Sequence, residues 1–189
     1  MPKPVYIPGL DGVRGMAALL IMFLHFVPGY NQNEHPYLYL LKKVSVVGQI
    51  GVPLFFVLSG FLITRILISS KHETNYFKRF YLRRAVRIFP LYYLFLVINF
   101  FIIPLINKQA FLPWNLTKYY YLYLQNVAMT FNWKEADLPH LWSLAVEEHF
   151  YLVWPVLIYF LSHKSILKVI AGCILISLLC RVLLIGLGF

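Results

Sequence analysis

From Val44 to Thr64 the chain carries no charged side chain. The stretch is long enough to cross a bilayer, for which about 20 apolar residues suffice. A second uncharged run extends from Ile88 to Asn107. Inside a bilayer every backbone N–H and C=O must find a partner within the protein, so such runs fold as helices. The composition agrees. Of 189 residues, 60% are apolar and only 13% are charged, which leaves too little polar surface for a soluble domain of this length. Aromatic residues make up 18% and suit the membrane–water interface.

Three more segments reach spanning length once their polar residues are accommodated. Leu10 to Gly29 carries Asp11 and Arg14, Trp142 to Ser162 carries Glu147 and Glu148, and Ile166 to Gly186 carries Arg181. Tyr119 to Trp133 is uncharged but short, and reads as a partial or interfacial helix. The expected fold is therefore all-α: a polytopic transmembrane helix bundle of about five spans, in one domain over residues 1–189. The N-terminus does not read as a signal peptide, so the first segment is expected to remain in the mature protein. The chain closes abruptly on "LLIGLGF", from which we expect a truncated chain or one piece of a larger bundle.

The net charge of +10 points to topology, not to nucleic acid, because the cations cluster between apolar runs. Lys71, Lys78, Arg79, Arg83, Arg84 and Arg87 follow the second span, and Lys164 and Lys168 lie between the last two. Cytoplasmic placement of both loops puts the N-terminus inside and residues 108–140 outside. The Lys42–Lys43 pair, in the first outer loop, runs against this pattern. Cys173 and Cys180 share one apolar run, and their spacing fits helix packing better than a disulfide or a metal site.

The first span, "LDGVRGMAALLIMFLHF", is unusual in holding three polar groups. On a helix Arg14 and His25 point within about 20° of each other, roughly 16 Å apart along the axis. Asp11 falls about 60° from Arg14 and about 40° from His25, while Leu20 and Phe23 face away. Two readings are open. Asp11 and Arg14 pair at the interface and snorkel, or the three line a cavity. An ionisable residue inside a span is a functional candidate, and imidazole suits proton removal from a hydroxyl.

"LPHLWSLAVEEHFYLVWP" places Glu147 and Glu148 near the outer end of the fourth span, beside His140, Trp142 and Ser143. Adjacent carboxylates cannot share one helix face, so at most one points fully inward. "FKRFYLRRAVRIFPLYYL" sets Arg83, Arg84 and Arg87 just before the third span. These guanidinium groups suit either the phosphates of a nucleotide-bearing donor or anchoring at anionic lipid. "GVPLFFVLSGFLIT" holds Pro53, Ser59 and Gly60 within a span, where small residues allow close helix approach. The chain has no phosphate-binding glycine loop, no Cys/His zinc spacing and no serine-nucleophile elbow.

Together, and in this order, the four stretches resemble the membrane-bound acyltransferase family 3, the O-antigen and polysaccharide O-acetylase type. The resemblance covers the chain up to about Phe160, which corresponds to roughly the first half of a bundle of about ten transmembrane helices. It implies transfer of an acyl group, usually acetyl from acetyl-CoA, to a hydroxyl of an extracytoplasmic glycan or lipid-linked acceptor. The family's Arg-x10-His pattern falls on Arg14 and His25, its basic R-R-x-x-R-I-x-P element on Arg83, Arg84, Arg87 and Pro90, and its W-S-L-x-x-E-E element on Trp142, Ser143, Glu147 and Glu148.

The resemblance implies that His25 is the essential histidine and that Arg14 assists donor binding. We expect Asp11 to orient Arg14, Glu147 or Glu148 to support the site, and Arg83, Arg84 and Arg87 to hold acyl-CoA. The expected partners are the bilayer, a carbohydrate or lipid-linked acceptor, and either a second copy or the missing C-terminal half. No metal and no nucleic acid is expected. The expected location is a bacterial cytoplasmic membrane with the N-terminus inside. Two other classes fit the polar stripe: a transporter or permease relaying protons or substrate, and a catalytically inactive remnant.

Overall fold

The computed structural model describes residues 8–26, 36–136 and 138–186. Helices dominate, and no strand occurs among the described residues. The elements are α1 (Pro8–Phe26), α2 (Pro36–Ser45), α3 (Gly51–Ser70), α4 (Tyr76–Val97), α5 (Ile103–Ile106), α6 (Trp114–Tyr121), α7 (Gln125–Thr130), α8 (Trp142–Phe160) and α9 (His163–Gly186). Three helices among the described residues are long and apolar enough to cross a membrane: Tyr37–Ser70, Tyr76–Ile106 and Lys164–Leu183. α1 and α8 have 19 residues each, about 28 Å of helix, and carry the ionisable groups of the sequence motifs. The last part of the first expected span, residues 27–29, lies outside the described residues.

The structure lengthens two of the expected spans. A 3₁₀ turn over Val46–Ile50 joins α2 to α3, so the second span belongs to one rod of 34 residues, and Lys42 and Lys43 lie on that rod instead of in a loop. Lys42 Nζ donates to the Leu24 carbonyl at 3.4 Å, placing a cation at the C-terminal end of α1, where the helix dipole favours one. This gives Lys42 a structural reason to stand where the charge pattern disfavours it. The third span likewise starts early. Arg79, Arg83, Arg84 and Arg87 sit on α4 and not in a linker, because arginine is a good helix former and Tyr76 and Phe80, at the start of the same helix, are buried. A π-helical segment, Ile98–Ile102, carries α4 into α5.

α1 rests on the α2–α3 rod through glycine. A Cβ on Gly48 would lie 2.3 Å from the Leu20 carbonyl oxygen, and one on Gly51 would lie 2.7 Å from that of Ala17. Only glycine permits this approach of two backbones. The buried Ala17 completes the seat.

Two apolar clusters hold the remaining helices. One, toward the α4 N-terminus, joins Ile63 and Leu67 of α3, Tyr76 and Phe80 of α4, Tyr151 and Ile158 of α8, and Ile166 of α9. Tyrosines of α4 add hydrogen bonds to the backbone of α8. Tyr76 donates to the Pro155 carbonyl at 3.1 Å, and Tyr81 to that of Leu152 at 2.8 Å. The other cluster packs Tyr92, Leu96 and Phe100 against Tyr120, Tyr123, Leu141 and Ala145. The short helices α6 and α7 replace the single partial helix expected there. α9 lies apart, with most of its length exposed. Cys173 and Cys180 are exposed free thiols on it, so they do not serve helix packing among the described residues.

Candidate active site

The polar groups of α1 meet different neighbours at different heights. Asp11 is exposed, and Arg14 is half-buried with its guanidinium 5.2 Å from the Phe55 ring centroid. Toward the other end of α1, His25 faces His140, with ring centroids 6.4 Å apart and planes at 63°. Phe95 of α4 packs edge-on against His140 at 5.7 Å. α1 thus presents Arg14 at one level and His25 at the other, as the helical spacing requires.

His140 is held by the second cluster. It lies in a 3₁₀ turn, Pro139–Leu141. The buried Gln125 side chain donates to the Leu141 carbonyl at 2.9 Å, and the Leu138 N–H donates to the Tyr120 hydroxyl at 3.2 Å. Tyr120 in turn donates to the Ala136 carbonyl, and Tyr92 donates to the Tyr120 carbonyl at 2.7 Å. The His140 residue stays accessible, yet burial around its ring, and then the nearby His25, holds its pKa below the ordinary histidine value.

At the opposite end α4 presents its cations. Arg84 is half-buried, with its guanidinium 5.0 Å from the Tyr151 ring and 5.7 Å from that of Phe80. Arg83 and Arg87 are exposed. These three and Arg79 line a cavity of about 600 Å³ between the end of α3 and the start of α4, with Ser69 and Ser70 on its wall. Arg79 also pairs with Glu73 at 2.5 Å. Guanidinium groups are chemically suited to phosphate groups.

The two carboxylates of α8 divide their surroundings. Glu147 accepts the Tyr151 hydroxyl and lies close enough to Arg84 for its charge to act there, as does Arg14. Glu148 turns toward Tyr92, Tyr93 and Tyr123 while also feeling Arg84. It has a buried Oε1 with no hydrogen-bond partner. Both carboxylates are half-buried. Neither points away from the bundle, and Arg84 lies between their fields.

The family profile described as "Acyltransferase domain" matches residues 7–188. The chain belongs to this acyltransferase family. Similar proteins include the peptidoglycan O-acetyltransferase OatA of Listeria monocytogenes, 32% identical over 188 residues, which covers 91% of this chain and 28% of that protein. The O-acetyltransferase OatA of Staphylococcus aureus is 33% identical over 175 residues, covering 87% of this chain and 26% of its own length. The chain thus spans about a quarter of the relatives it matches. No solved structure matches it.

In this acyltransferase-family chain the structure gathers Arg14, Arg84, Glu147 and Tyr151 at one level and His25 with His140 at another. It leaves Arg83 and Arg87 on the cavity wall beside Arg84. Sequence reading had noted His140 only as a neighbour of the glutamates and had given Tyr151 and Arg79 no part. Tyr151 lies four residues after Glu147, a helical spacing that was open to inspection. The approach of His140 to His25 has no local signal.

Proposed function

We propose that this chain is the donor-binding part of an integral-membrane O-acyltransferase. It moves an acyl group, acetyl in the first instance, from cytoplasmic acyl-CoA to a hydroxyl of an extracytoplasmic glycan. The observation that carries the reading is the arrangement of the two ends. An arginine-lined cavity opens between α3 and α4, and an imidazole pair stands at the far end of α1. Arg83, Arg84, Arg87 and Arg79 bind the CoA phosphates at the cytoplasmic side. The relatives' names specify O-acetylation, and for the Listeria protein the acceptor is peptidoglycan; a cell-wall glycan is the acceptor class that fits here.

His25 acts as the general base. Its imidazole takes the proton of the acceptor hydroxyl as the oxygen attacks the thioester carbonyl carbon. The new C–O bond forms, the C–S bond breaks, and the proton passes to the departing CoA thiolate. Arg14 and Glu147 surround Arg84 and orient it on the donor, with Asp11 at the mouth of α1. α1 and α8 lie in the membrane and turn Arg14, Glu147 and Glu148 partly toward the protein, where ionisable groups are tolerated.

The test is transfer of labelled acetyl from acetyl-CoA by membranes that hold the full-length protein or its His25→Ala form. Covalent label on a glycan, lost in the variant, is the expected result. Label carried across the membrane without covalent attachment would favour a transporter. Equal transfer by both forms would remove His25 from the chemistry.

A further inference from the structure

The reaction as proposed uses His25 and leaves the imidazole that faces it without a role. The fold nevertheless fixes His140 closely. Its backbone is pinned on one flank by the Leu138 N–H, which donates to the Tyr120 hydroxyl at 3.2 Å. On the other flank the Leu141 carbonyl accepts the buried Gln125 side chain at 2.9 Å. Its ring is set against Phe95 at 5.7 Å and 87°, and the residue remains accessible. A pinned backbone, a ring set by a packed neighbour and an open approach are the marks of a preorganised group. Rings with centroids 6.4 Å apart stand too far from each other for a direct hydrogen bond. They are close enough for both to reach one small group held between them.

Charge decides how such a pair divides the work. His25 becomes cationic when it takes the proton of the acceptor hydroxyl. Burial opposes a second imidazolium at His140, and so does the first at His25. His140 therefore stays neutral while the intermediate exists. It is not the acid that protonates the departing thiolate, because that task needs the cation. It is not a second base, because the transfer offers only one proton to remove. A neutral imidazole still carries one N–H. What it can do is donate a hydrogen bond where negative charge grows, which is the carbonyl oxygen of the thioester.

We propose that His140 is a second catalytic residue of the transfer, its ring N–H donating to the thioester carbonyl oxygen opposite His25. The inference rests on the acyltransferase reading. As the acceptor oxygen bonds to the carbonyl carbon, the carbonyl π pair moves onto its oxygen and His25 holds the proton. The C=O double bond then re-forms. The C–S bond breaks, its electron pair leaves on sulfur, and His25 returns the proton to that sulfur. His140 gains and loses no proton. Its hydrogen bond is stronger to the charged oxygen than to the bound thioester, so it acts on kcat. The Tyr120 and Gln125 contacts hold the donor in register, where small misplacements are costly.

The experiment uses the full-length protein in mild detergent, with labelled acetyl-CoA as donor and purified peptidoglycan fragments as acceptor. His140→Ala should lower kcat about 10²–10³-fold, the range for one lost oxyanion donor, and leave KM for acetyl-CoA unchanged, which also reports an intact donor site. His140→Gln keeps an N–H and should recover most of the loss. His140→Phe keeps an aromatic ring against Phe95 but has no donor, and should be as slow as His140→Ala. Recovery by His140→Phe and not by His140→Gln would reveal a packing role and overturn the proposal. A change confined to KM would do the same. The two readings fail separately. An unaltered protein that leaves no label on the glycan would remove the acyltransferase reading itself. Transfer that His25→Ala abolishes and His140→Ala leaves at full rate would remove only the role of His140.

Discussion

The imidazoles of His25 and His140 stand edge to face, 6.4 Å between centroids, although they lie 115 positions apart in the sequence. α1 delivers one, and the hydrogen-bonded platform of Tyr120 and Gln125 delivers the other. Their proximity gives the first prediction. His25→Ala should cost ~10²–10⁴-fold in acetyl transfer, the range for a lost general base. His140→Gln should cost less and shift the pH profile. Transfer of label to glycan in full-length membranes measures both, and equal losses would contradict separate roles.

His140 also carries a pH signature. Its pKa lies below the ordinary histidine value, chiefly through burial and secondly through His25. Between about 6.5 and its lower folded value, the unfolded chain binds more protons than the folded one. Stability therefore falls as pH drops through that window, and His140 exacts no such penalty above about 6.5. Thermal melts in detergent between pH 8 and 5 should show a shallower acid loss for His140→Gln than for the unaltered protein. Parallel curves would count against the assignment.

Arg84 stacks on Tyr151 and Phe80, so lysine is no substitute despite equal charge. Arg84→Lys should raise KM for acetyl-CoA about tenfold, equivalent to ~1.4 kcal/mol. Arg83→Gln and Arg87→Gln, at exposed positions, should raise KM less and increasingly so at low salt. Steady-state kinetics at two ionic strengths separates these effects. An unchanged KM in all three would move donor binding elsewhere.

Tyr151 donates its hydroxyl to Glu147. Tyr151→Phe should lower transfer and destabilise the fold by about 1 kcal/mol, the net contribution of one hydrogen bond to a half-buried acceptor. Glu147→Gln in the same background should add little, because the pair acts as a unit. A double-mutant cycle in melting temperature and activity reads this directly, and strict additivity would refute the coupling.

Gly48 and Gly60 should behave oppositely. A Cβ at Gly48 collides with the Leu20 carbonyl, whereas one at Gly60 meets nothing. Gly48→Ala should destabilise by about 1–3 kcal/mol and impair transfer by displacing α1. Gly60→Ala should be neutral or slightly stabilising. Melting temperatures of the two variants decide the matter.

The helices were legible because apolar runs of spanning length leave the backbone little choice. The common face of Arg14 and His25 followed from helical pitch alone. Helix starts were less legible. The arginines before Ile88 read as a loop because charge suggested one, while the burial of Tyr76 and Phe80 draws that segment into α4. Lys42 runs against the charge pattern, and only its contact with the end of α1 accounts for it. The division of labour between Glu147 and Glu148 depends on which helix lies on each side of α8, and adjacency in sequence cannot encode that. The same holds for His140, whose position is set by Tyr120 and Gln125 across a loop.

The seat of α1 on Gly48 and Gly51 has a mechanical consequence. Helices meeting through side chains slide and tilt as a bilayer thins or thickens. Two backbones in direct contact have no such compliance, so α1 keeps its height and rotation against α3. Arg14 and His25, roughly 16 Å apart on that column, then hold station when lipid composition changes. Among the described residues α9 has no comparable glycine seat, so the fixed column is α1 and not α9.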